Sequence, residues 1–346
     1  MKNKLNYFIA RFNCFGIGFY YLTKLAKQDA WITLILGTLI GIIILYFYVL
    51  IKKKLNNQNL KEFLLNKKLG FIYITLFIIF NIYLILILLT LLSLFTSAFY
   101  LVNTPQIIIN LGFIILVILL TFKGKFVLEN LSNLLYVFSL IIIFTFLMLL
   151  LKYLDFNNLT PILVIKPTNI IKASLIYASL TAIPQFITID YNIDTKKLIK
   201  SYLVSSLTLF IILTAIILGL GNLGEIYSFP EYIVLKQIKL FNFIENVENI
   251  SCFVWYMDIF ITLSTISINI FEYLPKKYNK LTLIITLIIT TLFTNYYICN
   301  NYEKIIILFL SSPLILSIFL ILFLTLLFYK KDIKKVPKNL NPFTNI

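Results

Sequence analysis

The chain has 346 residues, of which 60% are hydrophobic and 13% charged, and its net charge is +16. Soluble domains carry about 25% charged residues, so this composition excludes a soluble globular protein and indicates an integral membrane protein. The absence of histidine also excludes histidine-based catalysis, metal ligation and proton relays.

Ten apolar segments are each long enough to cross a bilayer, and they should be helical because backbone groups in lipid must bond within their own segment. The first is too long for a cleavable signal peptide, and the third should tilt or protrude. The sequence therefore predicts an all-α polytopic membrane protein with one permease-like domain over residues 1–346. The predicted spans are about 5–24, 30–51, 70–100, 106–122, 131–152, 170–189, 198–221, 249–273, 280–299 and 305–329.

The polar heptapeptide LAKQDAW, residues 25–31, separates the first two spans. A short polar stretch between two apolar runs is typical of a tight turn at a membrane face. Trp31 is expected at the level of the lipid headgroups, where aromatic side chains anchor.

Charge distribution predicts the orientation. If the N-terminus is cytoplasmic, every predicted inside loop is basic, as is the tail at 330–346. The long loop at 222–248, predicted to lie outside, is acidic on balance. Both termini are therefore expected to be cytoplasmic. Because the lysines lie in short loops, the charge indicates a membrane protein and not a nucleic-acid-binding one.

Ten spans divide into two halves of five, at about 5–152 and about 170–329. An odd number of spans per half requires the second half to be inverted. Transporters built from such inverted repeats place their ligand near mid-membrane, between interrupted helices of the two halves. Spans one and six are the positions to test.

Both of these spans contain helix-breaking residues near mid-depth, glycines in span one and a proline in span six. Either feature alone is also typical of close helix packing or a simple kink, but their matching positions favour a ligand site. Freed amides at a half-helix N-terminus suit an anionic group such as a carboxylate. The predicted ligand-binding residues are Gly16, Ile17, Gly18, Ala182, Ile183, Pro184 and Gln185.

Two charged residues lie well within predicted spans. Arg11, the only arginine, either extends to the inner face or takes part in gating or pairing. Asp258 lies near mid-depth of span eight, where an ionised carboxylate has a high free energy. We predict coupling or gating roles for both, the alternative for Asp258 being a structural acid.

Enzymatic activity is not expected. The chain has no nucleotide-binding glycine loop and no paired-carboxylate motif. Asp190 and Asp194 are the one candidate acid–base pair, and their position beside Lys196 and Lys197 favours a solvated loop. The three cysteines lack metal-type or disulfide spacing, so no metal or cofactor is expected.

Three stretches resemble the spore germination permease family, the membrane-embedded B subunits of GerA-type nutrient receptors in the amino acid–polyamine–organocation superfamily. They are AKQDAWITLILGTLIGIIILYFYVLI at 26–51, NLTPILVIKPTNIIKASL at 158–175 and FPEYIVLKQIKLFNFIENVENISCFVW at 229–255. The chain departs from the family in having Asn246 where an arginine is frequent, and Gln185 where an acid is frequent. The residues of the third stretch that fit the family pattern are Phe243, Ile244, Glu245, Glu248 and Trp255.

The resemblance implies a LeuT-like bundle in which spans one, three, six and eight surround a small-molecule pocket. The ligand would be an amino acid, with its carboxylate on the amides of residues 16–18 and the facing half supplied by Ala182, Ile183 and Gln185. It also implies A-type and C-type receptor subunits as partners in the cell membrane or spore inner membrane.

Two other functions stay open. One is a free-standing transporter that moves an amino acid with a proton or another ion. The other is a non-transporting scaffold subunit whose pocket is degenerate.

Overall fold

The structure is a computed structural model that describes residues 3–11, 14–55, 61, 64, 70–188, 195–238, 248–275 and 278–328. Within these residues, eight helical stretches are long and apolar enough to cross a membrane. The count of ten spans and the five-plus-five repeat stay predictions. The helices are α1 (Asn3–Arg11), α2 (Ile17–Ala26), α3 (Ala30–Leu55), α4 (Gly70–Phe99), α5 (Gln106–Lys123), α6 (Lys125–Leu150), α7 (Pro167–Thr181), α8 (Gln185–Thr188), α9 (Thr195–Leu220), α10 (Pro230–Leu235), α11 (Glu248–Tyr273), α12 (Asn279–Phe293), α13 (Tyr302–Leu310) and α14 (Ser312–Phe328).

Several predicted features fall outside the described residues. They include the tail at 330–346 and much of the loops before α9 and α11. The residues named above that lie outside the described ranges are Asp190, Asp194, Phe243, Ile244, Glu245 and Asn246.

Proline and glycine set several helix boundaries. Pro167 and Pro230 each occupy the first turn of their helices, where the missing amide hydrogen is not needed. Gly124 separates α5 from α6 with φ of 87°, a conformation that favours glycine. The 30-residue helix α4 is longer than a bilayer requires, as the third predicted span indicated.

Predicted spans one and six each consist of two helices. The first ends at Arg11 and resumes at Ile17, and the sixth ends at Thr181 and resumes at Gln185. α2 then continues through a short 3₁₀ turn into α3, so that residues 17–53 form one apolar helical stretch. The helix interruptions therefore lie at the glycine and proline positions that the sequence indicated.

Helix α1 lies at the centre of the bundle, in contact with α6, α7, α9 and α11. Its apolar side chains are buried around the whole helix, which is typical of a fully enclosed element. Helices α5, α6 and α12 instead expose large apolar side chains, as lipid-facing helices do. These side chains include Ile115, Leu119, Ile141, Phe144, Ile285 and Ile289.

The LAKQDAW segment forms hydrogen bonds with the connection that precedes α7. Asp29 is fully buried, and its carboxylate accepts hydrogen bonds from the amides of Leu163 at 2.8 Å and Ile165 at 3.2 Å. Gln28 Nε2 donates to the carbonyl of Pro161 at 3.1 Å. The polar residues between spans one and two thus hold the connection that leads into α7.

We expect Asp29→Ala to destabilise the protein by about 2–3 kcal/mol, because two backbone amides would lose a charged acceptor. The matched control is Asp155→Ala. Its exposed carboxylate accepts one bond, from the Asn157 amide, and its loss should cost about 1 kcal/mol or less. Thermal unfolding in detergent measures both. Equal losses of stability in the two variants would contradict this structural role of Asp29.

Candidate functional site

The break between α1 and α2 depends on Gly16. Its φ is 60° and its ψ is −116°, a combination that side chains strongly disfavour. A Cβ atom at this position would lie 2.6 Å from the ring of Phe229. Both the backbone and the space around it therefore require glycine here.

The Gly16 amide binds a carboxylate from the protein itself. Its N–H donates to Glu231 Oε1 at 2.7 Å, across 215 residues of sequence. α2 begins one residue later, and the amides of a first helical turn have no partner within their helix. The break thus brings one backbone donor, the Gly16 amide, to a carboxylate, whereas the Gly18 amide donates to the Phe15 carbonyl at 3.3 Å. Binding of a ligand carboxylate here stays a prediction.

The break between α7 and α8 has different partners. Ala182, Ile183 and Gln185 are fully buried. The Tyr48 hydroxyl donates to the carbonyl of Ala182 at 3.0 Å. Gln185 Nε2 donates to Asn81 Oδ1 at 2.9 Å, so the position where the family often has an acid joins α8 to α4.

The helices that carry the two breaks pack against each other, since α7 contacts both α1 and α2. The hydrogen bonds of Gly16 and Gln185, however, lead to opposite neighbours, Glu231 of α10 and Asn81 of α4. The structure therefore brings the two broken spans together, and these two hydrogen bonds connect them to different neighbouring helices.

Arg11 and Asp258 form a buried ion pair. Arg11 Nη2 lies 2.6 Å from Asp258 Oδ1 and contacts Oδ2 as well, and both side chains have no exposed surface. The Tyr7 hydroxyl also contacts the guanidinium, which lies 4.4 Å from the centre of the Tyr7 ring. The interpretation that Arg11 extends to the inner face is therefore wrong, because a partner on α11 holds it inside the bundle.

Two carboxylates thus bracket the break in span one. Asp258 of α11 holds the last residue of α1, and Glu231 of α10 holds the residue before α2. These two contacts connect α10 and α11 with the break.

Several hydroxyl groups on α11 are buried near this level. Thr265 bonds back to the carbonyl of Ile261 at 2.7 Å, the common fate of such residues. Thr262, Ser264 and Ser267 are also buried, and their hydroxyls find no hydrogen-bond partner within the described ranges. These three groups are free to bind a ligand or water.

Sequence reasoning missed Glu231 as a site residue. The sequence indicated only that Glu231 is one acid of a predicted external loop. In the structure its side chain is buried, with 8% of the residue exposed. Burial raises the pKa of Glu231 to about 7, because desolvation disfavours the ionised form. The available signal was its position in the FPEY sequence, directly after the proline that starts α10.

A cavity of about 90 Å³ adjoins this carboxyl group. Phe15 of the first break, Phe95 of α4, Phe146 of α6 and Trp255 of α11 contribute to its wall. The cavity thus lies where broken span one meets α4, α6, α10 and α11, and it has room for several waters or a small organic group.

The described residues contain no group of three or more His, Cys, Asp or Glu side chains placed to hold a metal ion.

Comparison with known proteins agrees with this architecture. No curated protein matches the chain significantly. Among solved structures, the chain is similar to a Na+-coupled sialic acid symporter in its substrate-bound, outward-open state. The TM-score is 0.61 and the sequence identity 13%, over 92% of this chain and 78% of the symporter chain. At this identity the likeness shows the fold alone, which the chain shares with that symporter.

The sequence comparison is more specific. The model of the spore germination protein family matches residues 4–303, most of the chain. Together with the apolar helices and the transporter fold, this match makes the chain a permease-like, multi-pass membrane protein. The chain belongs to the spore germination protein family.

Proposed function

We propose that the protein is the ligand-sensing membrane subunit of a spore germinant receptor and that it binds an amino acid at the break in span one. The observation that carries this proposal is the hydrogen bond between the Gly16 amide and a buried carboxylate. A ligand carboxylate would use the same donor.

The ligand would act by replacing Glu231 at the Gly16 amide. Release of that bond frees α10 from the break, while Arg11 and Asp258 still hold the end of α1. Ligand binding then changes the position of α2 relative to α1. This movement would be passed to A-type and C-type partner subunits, and no enzymatic step is needed.

Ligand binding by the purified protein in nanodiscs tests the proposal. We expect saturable binding of one compound from a panel of amino acids, sugars and nucleosides, lost in a Gly18→Trp variant because the indole would fill the break. Gly112→Trp is the matched control, since Gly112 lies on α5 with nothing within 4 Å of an added Cβ. Absence of binding by folded protein across the panel would favour the scaffold alternative.

A second candidate function is transport, which the likeness to a sodium-coupled symporter favours. Uptake of the bound compound into proteoliposomes, driven by a proton or sodium gradient, would assign the protein as a transporter. Binding without uptake would assign it as a sensor. In either case we expect both termini to be cytoplasmic, because the predicted inside loops are basic.

A further inference from the structure

The cavity beside the break is apolar apart from a few groups. Its walls come from aromatic and aliphatic side chains, including Phe15, Phe146 and Leu150. Among the described residues that line it, Glu231 carries the one carboxyl group, and neither lysine nor arginine is among them. A single carboxyl group therefore faces an otherwise apolar space.

The carboxyl group of Glu231 is half satisfied. Oε1 accepts the Gly16 amide, whereas Oε2 is buried and accepts no hydrogen bond of good geometry among the described residues, although the Trp255 side chain also stabilises the ionised carboxylate. A buried carboxylate oxygen without a partner is costly. The oxygen is therefore available to a ligand that brings a donor.

Aromatic rings surround this position. Phe95 and Trp255 have ring centres 4.2 Å apart, and Phe229 lies 5.2 Å from Phe95 and 6.0 Å from Trp255. The faces of such rings attract cations. A carboxylate combined with aromatic rings suits an organic ammonium group on a small apolar body.

We propose that Glu231 binds the ammonium group of the ligand and that the adjoining cavity selects a small apolar side chain. The inference rests on the proposed function, since it names the groups that recognise the amino acid. In the empty protein Glu231 occupies the Gly16 amide. A zwitterion exchanges the partners: its carboxylate takes the amide, and its ammonium group takes the released Glu231.

Tryptophan fluorescence provides a local test. The chain has two tryptophans, so Trp31→Phe leaves Trp255, in the cavity wall, as the only reporter. The probes are leucine, isopentylamine, isopentyl alcohol and isovalerate, titrated into this variant in lipid vesicles, which add no tryptophan of their own. They share one apolar body and differ in the charged groups they carry.

We expect leucine and isopentylamine to change the Trp255 signal saturably. Isopentyl alcohol should bind at least about tenfold more weakly than isopentylamine, because it brings no charge to Glu231. This comparison needs no substitution at Glu231. Equal affinities for the amine and the alcohol would overturn the assignment.

Glu231→Gln, added to the same background, should weaken isopentylamine at least about tenfold and leave isovalerate unchanged or tighter. It keeps an acceptor for Gly16 and removes the charge. Glu225→Gln is the matched control, since Glu225 lies in the same connection and pairs with Lys27 at 3.5 Å at the surface. An unchanged amine affinity in Glu231→Gln would also overturn the inference.

The two proposals fail differently. A compound could bind in a way that Gly18→Trp abolishes and Glu231→Gln does not. That result would support the ligand site and contradict the binding of an ammonium group by Glu231. If none of the probes or panel compounds binds to folded protein, both proposals fall.

Discussion

Arg11→Met is expected to lower the free energy of unfolding by about 3–5 kcal/mol, because it leaves Asp258 as a buried carboxylate without its partner. Both groups of the pair have no exposed surface, so water cannot replace the lost contact. The measurement is unfolding in mixed detergent micelles. Lys27→Met, which breaks the surface pair with Glu225, is the control and should cost about 1 kcal/mol or less.

The double variant Arg11→Met, Asp258→Leu should recover most of this stability, since removing both charges leaves neither buried alone. It separates two roles of the pair. If the pair gates the break, the double variant folds but does not respond to ligand, and Asp258→Asn also loses the response while still inserting. A normal ligand response in the double variant would restrict the pair to a structural role.

Gly16→Ala is expected to destabilise the protein by about 1–3 kcal/mol and to abolish ligand binding. The methyl group would force the backbone out of its present conformation, and it would lie 2.6 Å from the Phe229 ring. Phe229 directly precedes α10, so a shift there also moves Glu231 away from the amide. The readouts are thermal unfolding and the nanodisc binding assay.

Gly112→Ala is the matched control for this substitution. Gly112 lies within α5, and an added Cβ would meet open space. Replacing a helical glycine with alanine should leave stability unchanged or raise it by about 0.5–1 kcal/mol. If Gly16→Ala behaves like Gly112→Ala, the break does not require glycine and the geometry of the site is wrong.

Much of the fold follows from local properties of the sequence. Apolar segments of bilayer length predicted the membrane helices, because hydrophobicity and length suffice for that inference. The interruptions near Gly16 and Pro184 were also predictable, since glycine and proline act on the backbone at their own positions. The resemblance of span two and of residues 229–255 to the germination permeases led to the family that the comparison confirmed.

The sequence by itself therefore determined the membrane class, the places where helices break and the family. Tertiary structure alone decided the partners of the polar groups. Arg11 meets Asp258 across 247 residues and Gly16 meets Glu231 across 215, and Asp29 accepts hydrogen bonds from a distant connection. Hydropathy and helix-breaking residues report local preference, whereas a buried charge finds its partner only through the packing of helices remote in sequence.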